Sequence, residues 1–114
     1  TPTLYKSSAG AIEYMRIAKV SNINNTIDEL KKEGIWVYGA DMSTESFCYA
    51  TDLTGSIALV IGSEGKGISK LTREKCDVIV KIPMVGKITS LNASVAGGIL
   101  MYEILKQRII REKK

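Results

Sequence analysis

The sequence predicts an α/β fold, a mostly parallel sheet flanked by helices. Three observations carry that expectation. Short apolar runs alternate with amphipathic stretches along the chain. The run Ser56–Ile61 is apolar on both faces of a strand and is bracketed by Gly55 and Gly62, as a central parallel strand would be. Two loops marked by glycine or proline leave strands and lead into helices.

The elements follow in order. Thr1-Pro2 suits a helix start, with Thr1 as N-cap and Pro2 at the first helical position, and that helix fades at Ala9-Gly10-Ala11. Tyr14–Val20 reads as a short strand with Met15 and Ile17 on one side. After the capping residues of Ser21–Asn25, Ile23, Ile27 and Leu30 share one face of a helix that Gly34 stops. Ile35–Ala40 is a buried strand, and Asp41–Gly55 a loop with a helical turn near Glu45–Tyr49. Strand Ser56–Ile61 is followed by the glycine-rich loop Gly62–Gly67, a short helix Ser69–Cys76, and a strand Val78–Ile82 that Pro83 ends. The loop Met84–Ser90 leads to a long helix, Leu91–Arg111, with Val95, Ile99, Tyr102 and Leu105 turned to the core.

Composition bounds the function. A chain of 114 residues, 45% apolar and 25% charged, is the size and make-up of one globular domain, and it contains no internal repeat. No apolar run approaches the ~20 residues of a membrane span, and no secretory signal is visible. The chain opens on Thr1 rather than Met, so a trimmed piece of a longer protein is expected. The net charge of +4 favours polyanionic partners such as RNA. With no histidine, and with Cys48 and Cys76 spaced unlike metal ligands, a zinc site and a histidine-based triad or general base are excluded. A reduced, cytoplasmic protein is the corresponding expectation.

Two loops hold the candidate chemistry. Gly62-Ser63-Glu64-Gly65-Lys66-Gly67 sits between a strand and a helix, where open α/β sheets bind ligands, yet it matches neither the Walker A nor the dinucleotide fingerprint. Its glycines serve close backbone approach or a tight turn. Glu64 is not needed for turn geometry and can hydrogen-bond a ligand, orient another group or accept a proton. In the second loop, Pro83 and Gly86 shape the exit from a strand, Ser90 can cap the last helix, and Asn92 falls in its first turn. The small residues Ala93, Ser94, Ala96, Gly97 and Gly98 lie inside that helix. Each glycine costs ~1 kcal/mol there relative to alanine, so close approach of another backbone is expected to offset it. The basic end, Lys106 to Lys114, reads as a solvated tail that complements the helix dipole.

Leu59-Val60-Ile61-Gly62-Ser63-Glu64-Gly65-Lys66-Gly67-Ile68, then Ile82-Pro83-Met84, then Ser90-Leu91-Asn92-Ala93-Ser94-Val95-Ala96 resemble the last two signature motifs of the SpoU (TrmH-type) RNA methyltransferases of the SPOUT class. Thr1-Pro2-Thr3, Ser8-Ala9-Gly10-Ala11, Asp52-Leu53-Thr54-Gly55 and Leu71-Thr72-Arg73-Glu74 look like the RlmB-like subgroup, which methylates a guanosine ribose of bacterial large-subunit rRNA.

The resemblance implies transfer of a methyl group from S-adenosylmethionine to a ribose 2′-hydroxyl of RNA. It also implies a C-terminal trefoil knot and a homodimer built near the final helix. Cofactor contacts fall on Gly62, Ile82, Met84 and Leu91; Glu64, Ser90 and Asn92 are the catalytic candidates, with no metal. In this assignment Glu64 orients an arginine, while Ser90 and Asn92 fix loop and substrate geometry. That arginine belongs to the family's first motif, which lies upstream of the part matched by Thr1. Residues 1–114 are therefore expected to be the C-terminal portion of the catalytic domain, with little activity alone. The alternative is a non-catalytic RNA- or nucleotide-binding module that keeps the fold.

Overall fold

The structure, a computed structural model, describes residues 3–7, 15–19, 22–62, 67–84 and 92–113, the first two stretches by their backbone alone. Its elements are β1 (Thr3–Ser7), β2 (Met15–Lys19), α1 (Ile23–Lys32), β3 (Trp36–Ala40), a 3₁₀ turn over Cys48–Ala50, β4 (Ile57–Ile61), α2 (Lys70–Lys75), β5 (Val78–Val80) and α3 (Ala93–Glu112). The five strands form one sheet in the order β2-β1-β4-β3-β5.

The sheet is mixed rather than mostly parallel. β4, β3 and β5 run parallel, while β1 pairs antiparallel with both β4 and β2. The N-terminal helix suggested by Thr1-Pro2 is replaced, over the described residues, by β1. The cap signal was local. Thr3–Ser7 instead pairs residue for residue with Ile61–Ile57, completing the second side of the central strand, and ladder hydrogen bonds there outweigh a weak helical preference.

β4 organises the core. Its five residues are all buried, and they alternate between two layers. Ile57, Leu59 and Ile61 join Tyr38, Leu53, Val80, Leu100 and Ile104 under α3. Ala58 and Val60 join Ile27, Leu30, Val37 and Ile68 on the other face, beneath α1. A strand covered on both sides has no polar face, which is why its sequence reads as an unbroken apolar run.

α1 forms as its pattern demands. Asn22 caps it, its side chain accepting from the Asn25 amide at 3.2 Å. At the far end Gly34, at φ +80°, takes the left-handed position. Its amide reaches the Lys31 carbonyl and the Ile35 amide reaches Leu30, a Schellman closure.

α3 departs from expectation at both its start and its face. It begins at Ala93, and Asn92 is the N-cap: its side-chain oxygen accepts from Ser94 at 2.8 Å and Val95 at 3.4 Å. The face on the sheet consists of Gly97, Leu100, Glu103, Ile104 and Arg108. Of the four residues expected in the core, Val95, Ile99 and Tyr102 are exposed, Tyr102 by 67%, and Leu105 is half-buried. Gly97 is buried within the fold, whereas a side-chain carbon at Gly98 would meet open space. Two basic residues of the expected solvated tail are tied down: Arg108 donates to the Gly55 carbonyl at 2.6 Å, and Arg111 donates to the Thr54 hydroxyl. Among the described residues no helix is long and apolar enough to cross a membrane.

Candidate functional site

The parallel strands β4, β3 and β5 end along one edge of the sheet. Ala40 of β3 pairs with Ile61 of β4 on one side and Val80 of β5 on the other. The next residues out are therefore Gly62, Asp41 and Lys81, with Ile82 one step beyond. The two loop stems do not leave adjacent strands: β3 stands between them. Two strand spacings separate the stems by about 10 Å, a span that a nucleoside-sized ligand can bridge.

Gly62 has an identifiable structural need. A Cβ there would fall on the backbone of Gly67 and come within 2.6 Å of the Ile68 amide nitrogen. The glycine loop thus returns onto its own first residue. Gly67 closes it at φ +64°, with the space of its missing side chain taken by the Asp41 carboxylate at 2.7 Å. The spacing Gly62…Gly67 is accordingly explained by loop closure, before any ligand is considered.

Asp41 is the residue that the motif reading passed over. Its amide donates to the Val80 carbonyl at 3.0 Å, and its Oδ2 accepts from the Ser43 amide at 3.2 Å. Arg73, on α2, faces the same oxygen at 3.8 Å. One carboxylate thereby joins the end of β3, the glycine loop and α2. The available signal was positional: Asp41 directly follows an apolar strand that ends at a candidate ligand edge.

Of the predicted cofactor positions, Gly62, Ile82 and Met84 are described, and all three are partly buried at or beyond this edge. Leu91, Glu64 and Ser90 lie outside the described residues. Asn92 is described, and its side-chain oxygen serves the first turn of α3.

Neither thiol has a disulfide partner. Burial pushes the Cys76 thiol up to about 11, helped by nearby Asp77, and also raises Cys48. Neither favours the thiolate that a nucleophile needs. Among the described residues no group of acidic, cysteine or histidine side chains could hold a metal ion.

Comparison with known proteins decides the family. The SpoU rRNA methylase family model matches residues 1–102. This chain belongs to the SpoU rRNA methylase family. It is 52% identical over 108 residues to the TrmH-family tRNA/rRNA methyltransferase YacO of Bacillus subtilis, a match covering 95% of this chain and 43% of that protein. It is 46% identical to the 23S rRNA (guanosine-2′-O-)-methyltransferase RlmB of Coxiella burnetii, again over 95% of this chain and 43% of the relative. The crystal structure of the SpoU methyltransferase AviRb from Streptomyces viridochromogenes, in complex with the cofactor AdoMet, superposes with a TM-score of 0.71 at 33% identity. That match covers 79% of this chain and 36% of AviRb. The chain thus spans less than half the length of each of these relatives.

Proposed function

We propose that the full-length protein transfers a methyl group from S-adenosylmethionine to a ribose 2′-hydroxyl of RNA, and that its target is a guanosine of large-subunit rRNA. Residues 1–114 are the C-terminal, cofactor-holding portion of its catalytic domain. The observation that carries this reading is the sheet edge where Gly62, Asp41 and Ile82 line up in a SpoU-family chain. The name of the Coxiella relative supports the guanosine target, and that of the Bacillus relative spans tRNA and rRNA.

The edge suits this cofactor chemically. Its closed glycine loop presents backbone at Gly62, Ile82 and Met84 add apolar surface, and Asp41 places a carboxylate between the two stems. Gly62, Ile82, Met84 and Leu91 are the holding residues. Bound S-adenosylmethionine supplies a methyl group on a sulfonium, open to in-line displacement. The ribose hydroxyl is a weak acid, so the chain must help remove its proton or stabilise the oxyanion that forms. Glu64 orients the arginine supplied from upstream of Thr1. Ser90 and Asn92 fix the loop against the acceptor, Asn92 through the helix start that it caps. A trefoil knot formed by the two loops holds the stems together. A homodimer, in a cytoplasmic protein, covers the exposed Val95, Ile99 and Tyr102 of α3.

Single-turnover methyl transfer to rRNA fragments tests the reading. The full-length protein is expected to transfer the methyl group, whereas residues 1–114 alone are slower by at least ~10²–10³, the loss usual for one preorganised transition-state group. Equal rates would remove the upstream arginine from the mechanism. Absence of transfer by the full-length protein, with RNA binding intact, would leave the non-catalytic binding module.

A further inference from the structure

Beside the cofactor edge lies a feature that the proposed chemistry does not use. Phe47 and Tyr49 stack with ring centroids 5.2 Å apart and planes 13° from parallel. The Lys81 ammonium sits 4.7 Å from the Phe47 centroid. Lys81 is the residue immediately before Ile82, and it pairs with Phe47 in a parallel bridge. Its amide donates to the Ser46 carbonyl at 2.9 Å, and its carbonyl accepts from the Cys48 amide at 2.9 Å.

The turn that carries Tyr49 is fastened on every side except the ring. Cys48 is buried in the core. The Thr51 hydroxyl donates to the Phe47 carbonyl at 2.8 Å. Gln107 of α3 reaches across to donate to the carbonyls of Cys48 at 3.3 Å and Thr51 at 3.0 Å, and its own carbonyl accepts from Leu53 at 2.8 Å. Tyr49 nevertheless stays 56% exposed. A flat aromatic surface on a hydrogen-bonded backing loses little entropy when something flat settles on it.

We propose that the open face of Tyr49 is a stacking platform for an unpaired base of the RNA substrate, backed by Phe47 and Lys81. The inference rests on the proposed RNA methyltransferase reading, and it adds a residue that positions the acceptor strand. A nucleobase is the fitting occupant. Recognition of single-stranded RNA works by laying splayed bases on aromatic rings; here the Lys81 ammonium, paired with Glu45 at 3.9 Å, braces the stack from behind Phe47. The bridge between Phe47 and Lys81 sets the platform next to Ile82, so a base seated there keeps its strand beside the cofactor edge.

The test uses the full-length protein and short single-stranded RNAs carrying 2-aminopurine at successive positions, read by fluorescence quenching. S-adenosylmethionine affinity, methyl transfer and melting temperature are followed in parallel. Wild-type protein is expected to quench at one position. Tyr49→Ala should abolish that quenching and weaken RNA binding about tenfold, appearing as a higher KM for RNA at unchanged kcat. Cofactor affinity and melting temperature should be unaffected, and Tyr49→Phe should behave as wild type. Four results overturn the proposal: no quenching by wild type at any position, unchanged RNA binding in Tyr49→Ala, loss in Tyr49→Phe equal to that in Tyr49→Ala, or an altered oligomeric state with RNA binding intact. If wild type methylates RNA while Tyr49→Ala is indifferent, the platform falls and the functional reading stands. If quenching depends on Tyr49 but no cofactor binds, the platform stands and the functional reading falls.

Discussion

α1 and α3 cover opposite faces of the same sheet, and their sequences differ in one instructive way. α1 has a single apolar stripe, Ile23, Ile27 and Leu30, and only one orientation buries it. α3 carries apolar residues on two faces. Leu100, Ile104 and Gly97 form one stripe, and Val95, Ile99 and Tyr102 form another. Both stripes satisfy helical periodicity, so periodicity cannot choose between them. The choice is made by Gln107 and Arg108, which lie on or beside the sheet-facing stripe. Gln107 and Arg108 bond the backbone of Cys48, Thr51, Leu53 and Gly55, and Glu103 pairs with Lys106 at 2.9 Å. Polar groups that look like solvent-facing residues in the sequence are the ones holding the helix down.

The strongest challenge to this comparison is to remove one core side chain from each helix. Ile27→Ala and Leu100→Ala, both fully buried at 0% exposure, should each lower unfolding stability by ~2–5 kcal/mol in urea titrations. A loss below ~1 kcal/mol at Leu100 would mean that the sheet-facing stripe has been assigned to the wrong side.

A smaller effect, on the order of 2 kcal/mol, is expected from pH on the α1 side of the sheet. Cys76 packs against that layer with its thiol raised from 9.0 to about 11. Below about pH 9 neither state ionises it. As pH rises towards 11 the unfolded chain loses the proton first, so stability falls through that window. The urea midpoint should drop between about pH 9 and about pH 11, and less steeply in Cys76→Ala. An unchanged slope in the variant would remove Cys76 as the cause.

Caps should matter about equally in the two helices. Asn22→Ala and Asn92→Ala each remove a side-chain acceptor from a first-turn amide, at a cost of ~1 kcal/mol by chemical denaturation. A much larger stability loss at Asn92 alone would indicate that it does more than begin α3.

The smallest change is expected on the outward stripe. Ile99→Ser and Tyr102→Ser should shift the unfolding free energy of dilute protein by no more than ~0.5 kcal/mol, while weakening the proposed self-association in sedimentation experiments. Strong destabilisation of the dilute protein would show that this stripe is packed within the chain after all.

Much of this molecule was legible without coordinates. The double-sided apolar run of β4, the stripe and glycine stop of α1, and the strand–loop–helix passage at Gly62 are set by local chemistry: side-chain period, capping geometry and backbone freedom. The family resemblance was legible for the same reason, since the residue types and order of its motifs persist wherever the chain places them. Tertiary structure decided the rest. Thr3–Ser7 became a strand because β4 offered it an open side. β3 came between the two loop stems because strand order depends on crossovers that no local pattern encodes. Asp41 became the link between β3, the glycine loop and α2 only when the strand ends were brought level. The buried face of α3 followed from which stripe found carbonyl partners across more than fifty residues of sequence, because burial is settled by what a side chain meets and not by its own polarity.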